Sequence, residues 1–266
     1  MPQEIKEAIK KHYGLDKPWY EQYGIYLSSV VKGDLGPSYK YKARTVNQII
    51  EQGFPISAIL GLEALLLAVS FGIALGSLAA LYHNRWQDHA AMCFAVLGMS
   101  VPSFILATLL QYYLAICLNL CPIALWGSLS HTILPALSLA ALPTAFIARL
   151  TRTNMLEVLQ QDYIKTAKAK GLPYRRIFFV HALKNSLLPV IAYLGQLTAN
   201  ILPGSFIVEK IFAIPGLGQW FVLSVANRDY TVIMGTTIFY SLLLLVIMFI
   251  IDLCYGLIDP RIARRA

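Results

Sequence analysis

Five apolar stretches, at about 56–82, 90–119, 131–150, 186–208 and 232–256, constrain this 266-residue chain more than any other feature. Each is long enough to cross a hydrocarbon layer of ~30 Å at ~1.5 Å per helical residue. Backbone groups in lipid must be bonded within the segment, so the stretches are expected to be helices and the chain an all-α polytopic membrane protein. Composition agrees: 14% of residues are charged, against about a quarter in soluble domains. Glycines and prolines (Gly98, Pro102, Pro135, Pro143, Pro189, Pro203) recur inside the stretches, where neighbouring helices can re-satisfy freed backbone groups. Gly72 and Gly76 form a GxxxG pair, which reads equally as a helix contact or as chance in an apolar run.

The basic residues set an expected orientation. The loop 151–185 carries seven Lys/Arg, with Arg149 just before it, and the tail has Arg261, Arg264 and Arg265. The alternate loops, 120–130 and 209–231, are poor in them. The positive-inside rule places the basic loops in the cytoplasm, so the net charge of +8 is read as orientation and not as nucleic-acid binding. Five spans with a cytoplasmic C-terminus put residues 1–55 outside, although they carry eight Lys/Arg and no span precedes them. The expectation is therefore a further membrane helix before Met1. Within 1–55, Ile5 and Ile9 suit a short amphipathic helix. Trp19, Tyr23, Tyr26, Leu27 and Val30 suit a second one with an aromatic face, and "GDLGPSY" (Gly33–Tyr39) suits a turn.

Several chemistries lack their signatures. There is no GxxxxGK[ST] phosphate loop, HExxH, GxSxG or paired-carboxylate arrangement, so neither an ATP site nor a catalytic or metal-binding site is expected on this chain. Cys93, Cys117, Cys121 and Cys254 form no CxxC or zinc spacing. They are expected to be free and buried, with Cys117 and Cys121 on one helix face. Glu63 and Asp252 are the carboxylates inside the apolar stretches, too thin a basis for a proton-coupled carrier.

The segment "DYIKTAKAKGLPYRRIFFVHALKNSLLP", Asp162 to Pro189, carries the sharpest pattern. Asp162 to Lys170 is built of helix formers and ends at Gly171, suited to a left-handed cap. Pro173 can start a second helix, about 174–185, with Ile177, Phe178 and Leu183 as its apolar face. Thr166, Ala167 and Ala169 at the bend are small enough for another backbone to approach. A positive-inside anchor alone explains the charge but not this helix–Gly–helix form.

This segment resembles the cytoplasmic loop shared by membrane subunits of ABC importers. It fits the form of the peptide/nickel branch through Asp162, Tyr163, Thr166, Ala167, Ala169, Lys170, Gly171, Leu172, His181, Ala182, Leu183, Asn185 and Pro189. Lys165-Thr166-Ala167 stand where the general pattern has Glu-Ala-Ala, and the Glu and final Pro of that pattern are absent. "VEKIFAIPGLG" (Val208–Gly218), "RDYTVIMG" (Arg228–Gly235) and "DLCYGLIDPRI" (Asp252–Ile262) resemble further motifs of the branch, and "GDLGPSY" resembles an element of its B-type subunits.

The resemblance implies a type I ABC importer transmembrane fold with one span before this N-terminus. It implies residues 56–256 as the transmembrane domain, 151–185 as the coupling loop, 209–231 as an exterior loop and 257–266 as a cytoplasmic tail. Implied partners are a C-type second permease subunit, two ATPase subunits that bind ATP and Mg, an extracytoplasmic binding protein and the lipid bilayer of a bacterial inner membrane. The cargo implied is peptide, with nickel as the alternative within the branch. Asp162 to Leu172 would be the coupling helix and its cap, with Lys165, Lys168 and Lys170 as ion-pairing groups; Arg175, Arg176, His181, Asn185 and Pro189 would support it. Glu209, Pro215, Gly216 and Gly218 would shape the exterior loop as scaffold.

Overall fold

Thr45 opens the longest element. Its hydroxyl accepts from the Gln48 N–H at 3.2 Å, and the Gln48 side chain accepts from the Thr45 N–H at 3.1 Å, a reciprocal cap that satisfies two orphan donors. Helix α2 (Val46–Leu81) then runs 36 residues, about 54 Å at 1.5 Å per residue. It is preceded by α1 (Trp19–Val31) and followed by α3 (Trp86–Ser100), α4 (Ser103–Leu110, continued by wider turns over Gln111–Cys117) and α5 (Leu129–Leu159). Next come α6 (Asp162–Ala169), α7 (Tyr174–Ser186, mostly wide-turned), α8 (Leu188–Ile201), α9 (Phe206–Ile211), α10 (Leu217–Ala226) and α11 (Tyr230–Ile258). The computed structural model describes residues 7, 10, 12–41 and 44–258. The amphipathic helix expected at Ile5 and Ile9, the tail with its three arginines and the Asp252 side chain lie outside the described residues and side chains.

Among the described residues, three helices, within α2, α5 and α11, are long and apolar enough to cross a membrane, and the number is five if each of two bent pairs is one span. The bends correct two expected spans. The stretch 90–119 is two helices meeting at 105°: Val101 is extended before Pro102, because a residue preceding proline is pushed out of the α region. The stretch 186–208 is helical chiefly as α8, bent 47° from α7 just before Pro189, and after Ile201 the chain turns at Gly204 into the short α9. α2 begins ten residues earlier than the apolar pattern, and α5 continues past residue 150 to Leu159.

α2 and α5 pack along most of their length. The GxxxG pair is a contact: a Cβ at Gly72 would stand 2.7 Å from Ile147, and one at Gly76 would overlap the Ala148 carbonyl. Close approach of backbones is how helices associate where no hydrophobic force drives them together. Around this seam the core holds Leu60, Ala64, Ala68, Leu134, Ile147, Val190 and Phe212. The outer face of α11 exposes Leu245 and Phe249, as a lipid-facing span does. Cys93 and Cys117 are free and exposed rather than buried, and Cys121, free and half-buried, lies beyond the helical turns that end at Cys117, so it does not share a helix face with it; the Cys254 side chain lies outside those described.

α1 forms where its aromatic spacing indicated. Trp19 and Tyr23 are exposed, while Tyr26 packs on Tyr13. Gly33 and Gly36 make the turn after it with positive φ. Asp229, fully buried, then ties this segment to the start of α11: it accepts from the Ser38 hydroxyl at 2.5 Å, the Tyr39 N–H at 3.0 Å and the Val232 N–H at 3.3 Å. The molecule thus has a basic pole, formed by residues 81–88 and 152–185, and an opposite aromatic pole, formed by residues 12–41, α9 and α10.

Candidate functional site

The basic pole holds the candidate coupling helix. α6 ends in a two-bond cap: the Gly171 N–H reaches the Lys168 carbonyl at 3.0 Å and the Leu172 N–H reaches that of Ala167 at 3.3 Å. This Schellman arrangement needs a left-handed residue, and Gly171 supplies it at φ +72° with open space around it. The helix has two faces. Ile164 and Ala167 are buried in one cluster with Leu172, Met155 of α5, Ala80 of α2, and Ile177 and Ala182 of α7. Asp162, Lys165, Thr166, Lys168, Ala169 and Lys170 point away and are exposed. Ala167 therefore corrects the expectation that it offers close approach to a partner. Helix phase turns it inward, and Thr166 and Ala169 are the small residues on the free face.

The supporting residues divide likewise. Asn185 Nδ2 donates to the Tyr163 hydroxyl and to the His181 carbonyl, both at 2.9 Å, which pins α6 to α7. Of the three lysines, Lys165 pairs with Asp162 at 2.8 Å, with both side chains largely exposed, a bond of small energetic worth. Lys168, Lys170, Arg175 and Arg176 are exposed, His181 is half-buried, and Pro189 stands in the first turn of α8. A clamp that sequence reasoning missed braces the same pole. Arg152 holds buried Asp88 through two parallel bonds, Nε to Oδ1 at 2.6 Å and Nη2 to Oδ2 at 2.8 Å, and the Asn84 N–H adds a third at 3.0 Å. Arg152 counted only as positive-inside charge, and the 64 residues between the partners hid their pairing.

The aromatic pole brings Glu209, Gly216 and Gly218 together. The fully buried Glu209 carboxylate accepts from the Ser57 hydroxyl at 2.7 Å and the Gln219 N–H at 3.0 Å. Ser57 in turn accepts from the Leu217 N–H at 2.8 Å. The carboxylate thus sits on the N-terminus of α10, where free N–H groups and the helix dipole favour an anion. The glycines around it are spatial necessities: a Cβ at Gly216 would stand 2.5 Å from the carboxyl carbon, one at Gly204 would overlap Oε1, and one at Gly218 would lie 3.1 Å from Oε2. Pro215 is exposed beside them. Burial pushes the Glu209 carboxyl up to about 6, with the Ser57 hydroxyl and the Gln219, Gly218 and Ser205 N–H groups acting against that rise. Ser57 gave no signal, being one serine in an apolar run 152 residues from Glu209.

Long helices with bends, a two-faced capped helix at one pole and a buried carboxylate clamp at the other describe a multi-pass helical membrane protein. Residues 72–264 match the family described as binding-protein-dependent transport system inner membrane component, and the chain belongs to that family. It is 54% identical over 258 residues to the dipeptide transport system permease protein DppB of Bacillus subtilis, covering 97% of this chain and 84% of that protein. It is 44% identical to the oligopeptide transport system permease protein OppB of Salmonella typhimurium, covering 98% and 86%. Among solved structures, the inward-facing MetNI methionine ABC transporter aligns with TM-score 0.66 at 15% identity, over 80% of this chain and 97% of that one. An amino acid ABC transporter aligns with TM-score 0.61, over 86% and 97%. The fold is that of type I ABC importer transmembrane domains.

Proposed function

We propose that this chain is the B-type permease subunit of an ATP-driven importer of di- or oligopeptides, and that α6 is its coupling helix. The observation that carries the reading is the division of α6: one face is fixed to α2, α5 and α7 by Ile164 and Ala167, and the other is free. A helix joined in this way to the ends of two spans can transmit a partner's movement into the bundle. The names of the relatives support peptide as cargo. The partners are a C-type permease subunit, two ATPase subunits that carry ATP and Mg, and an extracytoplasmic binding protein. The basic pole and the C-terminus face the cytoplasm and the aromatic pole faces outward, in keeping with the distribution of Lys and Arg. ATP hydrolysis on the partner does work here only because the closed ATPase pair binds the two states of α6 with different free energies.

Gly171→Asp tests this. It puts a side chain on a backbone at φ +72°, where a non-glycine residue costs roughly 1 kcal/mol or more, and loosens the cap without touching the spans. The expected outcome is normal membrane insertion with peptide-stimulated ATP hydrolysis by the reconstituted complex reduced several-fold. Unchanged stimulation and uptake would refute the assignment.

A further inference from the structure

Between Phe54 and Leu81 the polar side chains of α2 are Ser57, Glu63, Ser70 and Ser77. Ser57 is consumed by Glu209. The other three are spaced by seven residues, about two helical turns, and so form one stripe. The stripe lies on the opposite side of α2 from Ala68, Gly72 and Gly76, which press on α5.

Two features separate this stripe from ordinary polar residues in spans. Thr108, Ser138, Thr144, Thr198 and Thr236 close their hydroxyls on their own helix, donating to carbonyls four residues back, the usual resting state of such groups. Ser70 and Ser77 make no such bond to any described residue, and Ser77 Oγ, like Thr151 Oγ1 of α5, is buried with no partner among the described residues, its residue 7% exposed. Glu63, half-buried at mid-length of the helix, makes no hydrogen bond or ion pair with any described residue. A carboxylate at that depth is costly unless it meets water or a cation. Beside it, Leu67 and Phe71 open onto an apolar cavity of about 470 Å³ between α2, α3, α4 and α5, a size typical of small-molecule sites (roughly 300–1,000 Å³).

We propose that the Glu63–Ser70–Ser77 stripe lines the translocation pathway, and that Glu63 pairs with the N-terminal ammonium of the peptide while its apolar side chains use the adjoining cavity. The inference rests on the peptide-importer reading. Charge complementarity selects the occupant: every peptide with a free amino terminus brings one cation whatever its sequence, so one fixed anion is a handle indifferent to side chains. Serines along the same stripe offer hydroxyls to the peptide's backbone as it passes.

The test uses the full reconstituted complex with its ATPase and binding protein. Peptide uptake by the wild-type complex tests the peptide-importer reading first and separately. In a chain whose four cysteines are replaced by serine, Ser70→Cys is expected to react with a membrane-impermeant maleimide in either the nucleotide-free or the vanadate-trapped state, and peptide is expected to slow that reaction. Failure to label in both states would place the stripe against lipid or protein and overturn the pathway. Glu63→Gln is expected to lower uptake at subsaturating peptide about tenfold, the loss of one charge-assisted hydrogen bond, with Glu63→Asp restoring most of it. The ATPase should still co-purify with the Glu63→Gln complex. Wild-type uptake by Glu63→Gln would overturn the anionic handle. Loss of the second permease subunit from that complex would overturn it too, by assigning Glu63 to a cation of that subunit.

Discussion

Glu209 shows how a single buried charge sets behaviour at the residue scale. Burial pushes its carboxyl up to about 6 in the folded protein, above an ordinary glutamate near 4.3. The folded state therefore binds the proton more tightly, and its stabilising effect is complete below the unfolded value and lost as pH rises through about 6. The apparent melting temperature of the purified complex is expected to fall between pH 4.5 and 7, and Glu209→Gln is expected to remove that component. Glu209→Ala should be worse at every pH, by about 3 kcal/mol, because it leaves the Ser57 hydroxyl and the Gln219 N–H unpaired in a buried site. A melting curve for Glu209→Ala matching wild type would remove Glu209 from the clamp. Gly171 was legible at this scale, since a glycine after a run of helix formers announces a cap. Ser57 was not, since nothing about one serine in an oily run says which carboxylate it will meet.

At the scale of elements, the Asp88–Arg152 pair fixes the start of α3 to the far end of α5. Removing only the arginine strands a buried carboxylate, which costs about 3–5 kcal/mol. Arg152→Ala is thus expected to reduce the folded, protease-resistant protein sharply, and Asp88→Ala/Arg152→Ala to recover part of it; a double variant as defective as Arg152→Ala would argue against the pairing. Element identity was largely readable: apolar length gave α2, α5 and α11, and the aromatic spacing gave α1. Phase and breakage were not. Ala167 turns inward because the ends of α2 and α5 lie beneath it, and α8 stops at Ile201 because the chain must turn there to place α9 and its carboxylate clamp. Pro102 carried a readable warning that the stretch 90–119 would break, which the apolar count overrode.

For the whole molecule, the seam between α2 and α5 decides whether the bundle forms. Gly76→Ala forces a methyl group into the Ala148 carbonyl and is expected to lower the yield of assembled complex severely, whereas Gly24→Ala in α1, with nothing within 4 Å, should be neutral or gain a few tenths of a kcal/mol. Equal effects in size-exclusion chromatography would contradict the close approach. The unbroken length of α2 has a mechanical consequence. Its Ala80 end is joined to α6 and its Ser57 turn is joined to Glu209, so it is a stiff rod with a fastening near each pole. α3–α4 and α7–α8 are articulated at their bends. If α6 is displaced as proposed, this geometry would carry the displacement to the opposite pole as rotation of one rod about the α5 seam, with the bent pairs as the places where the angle can change.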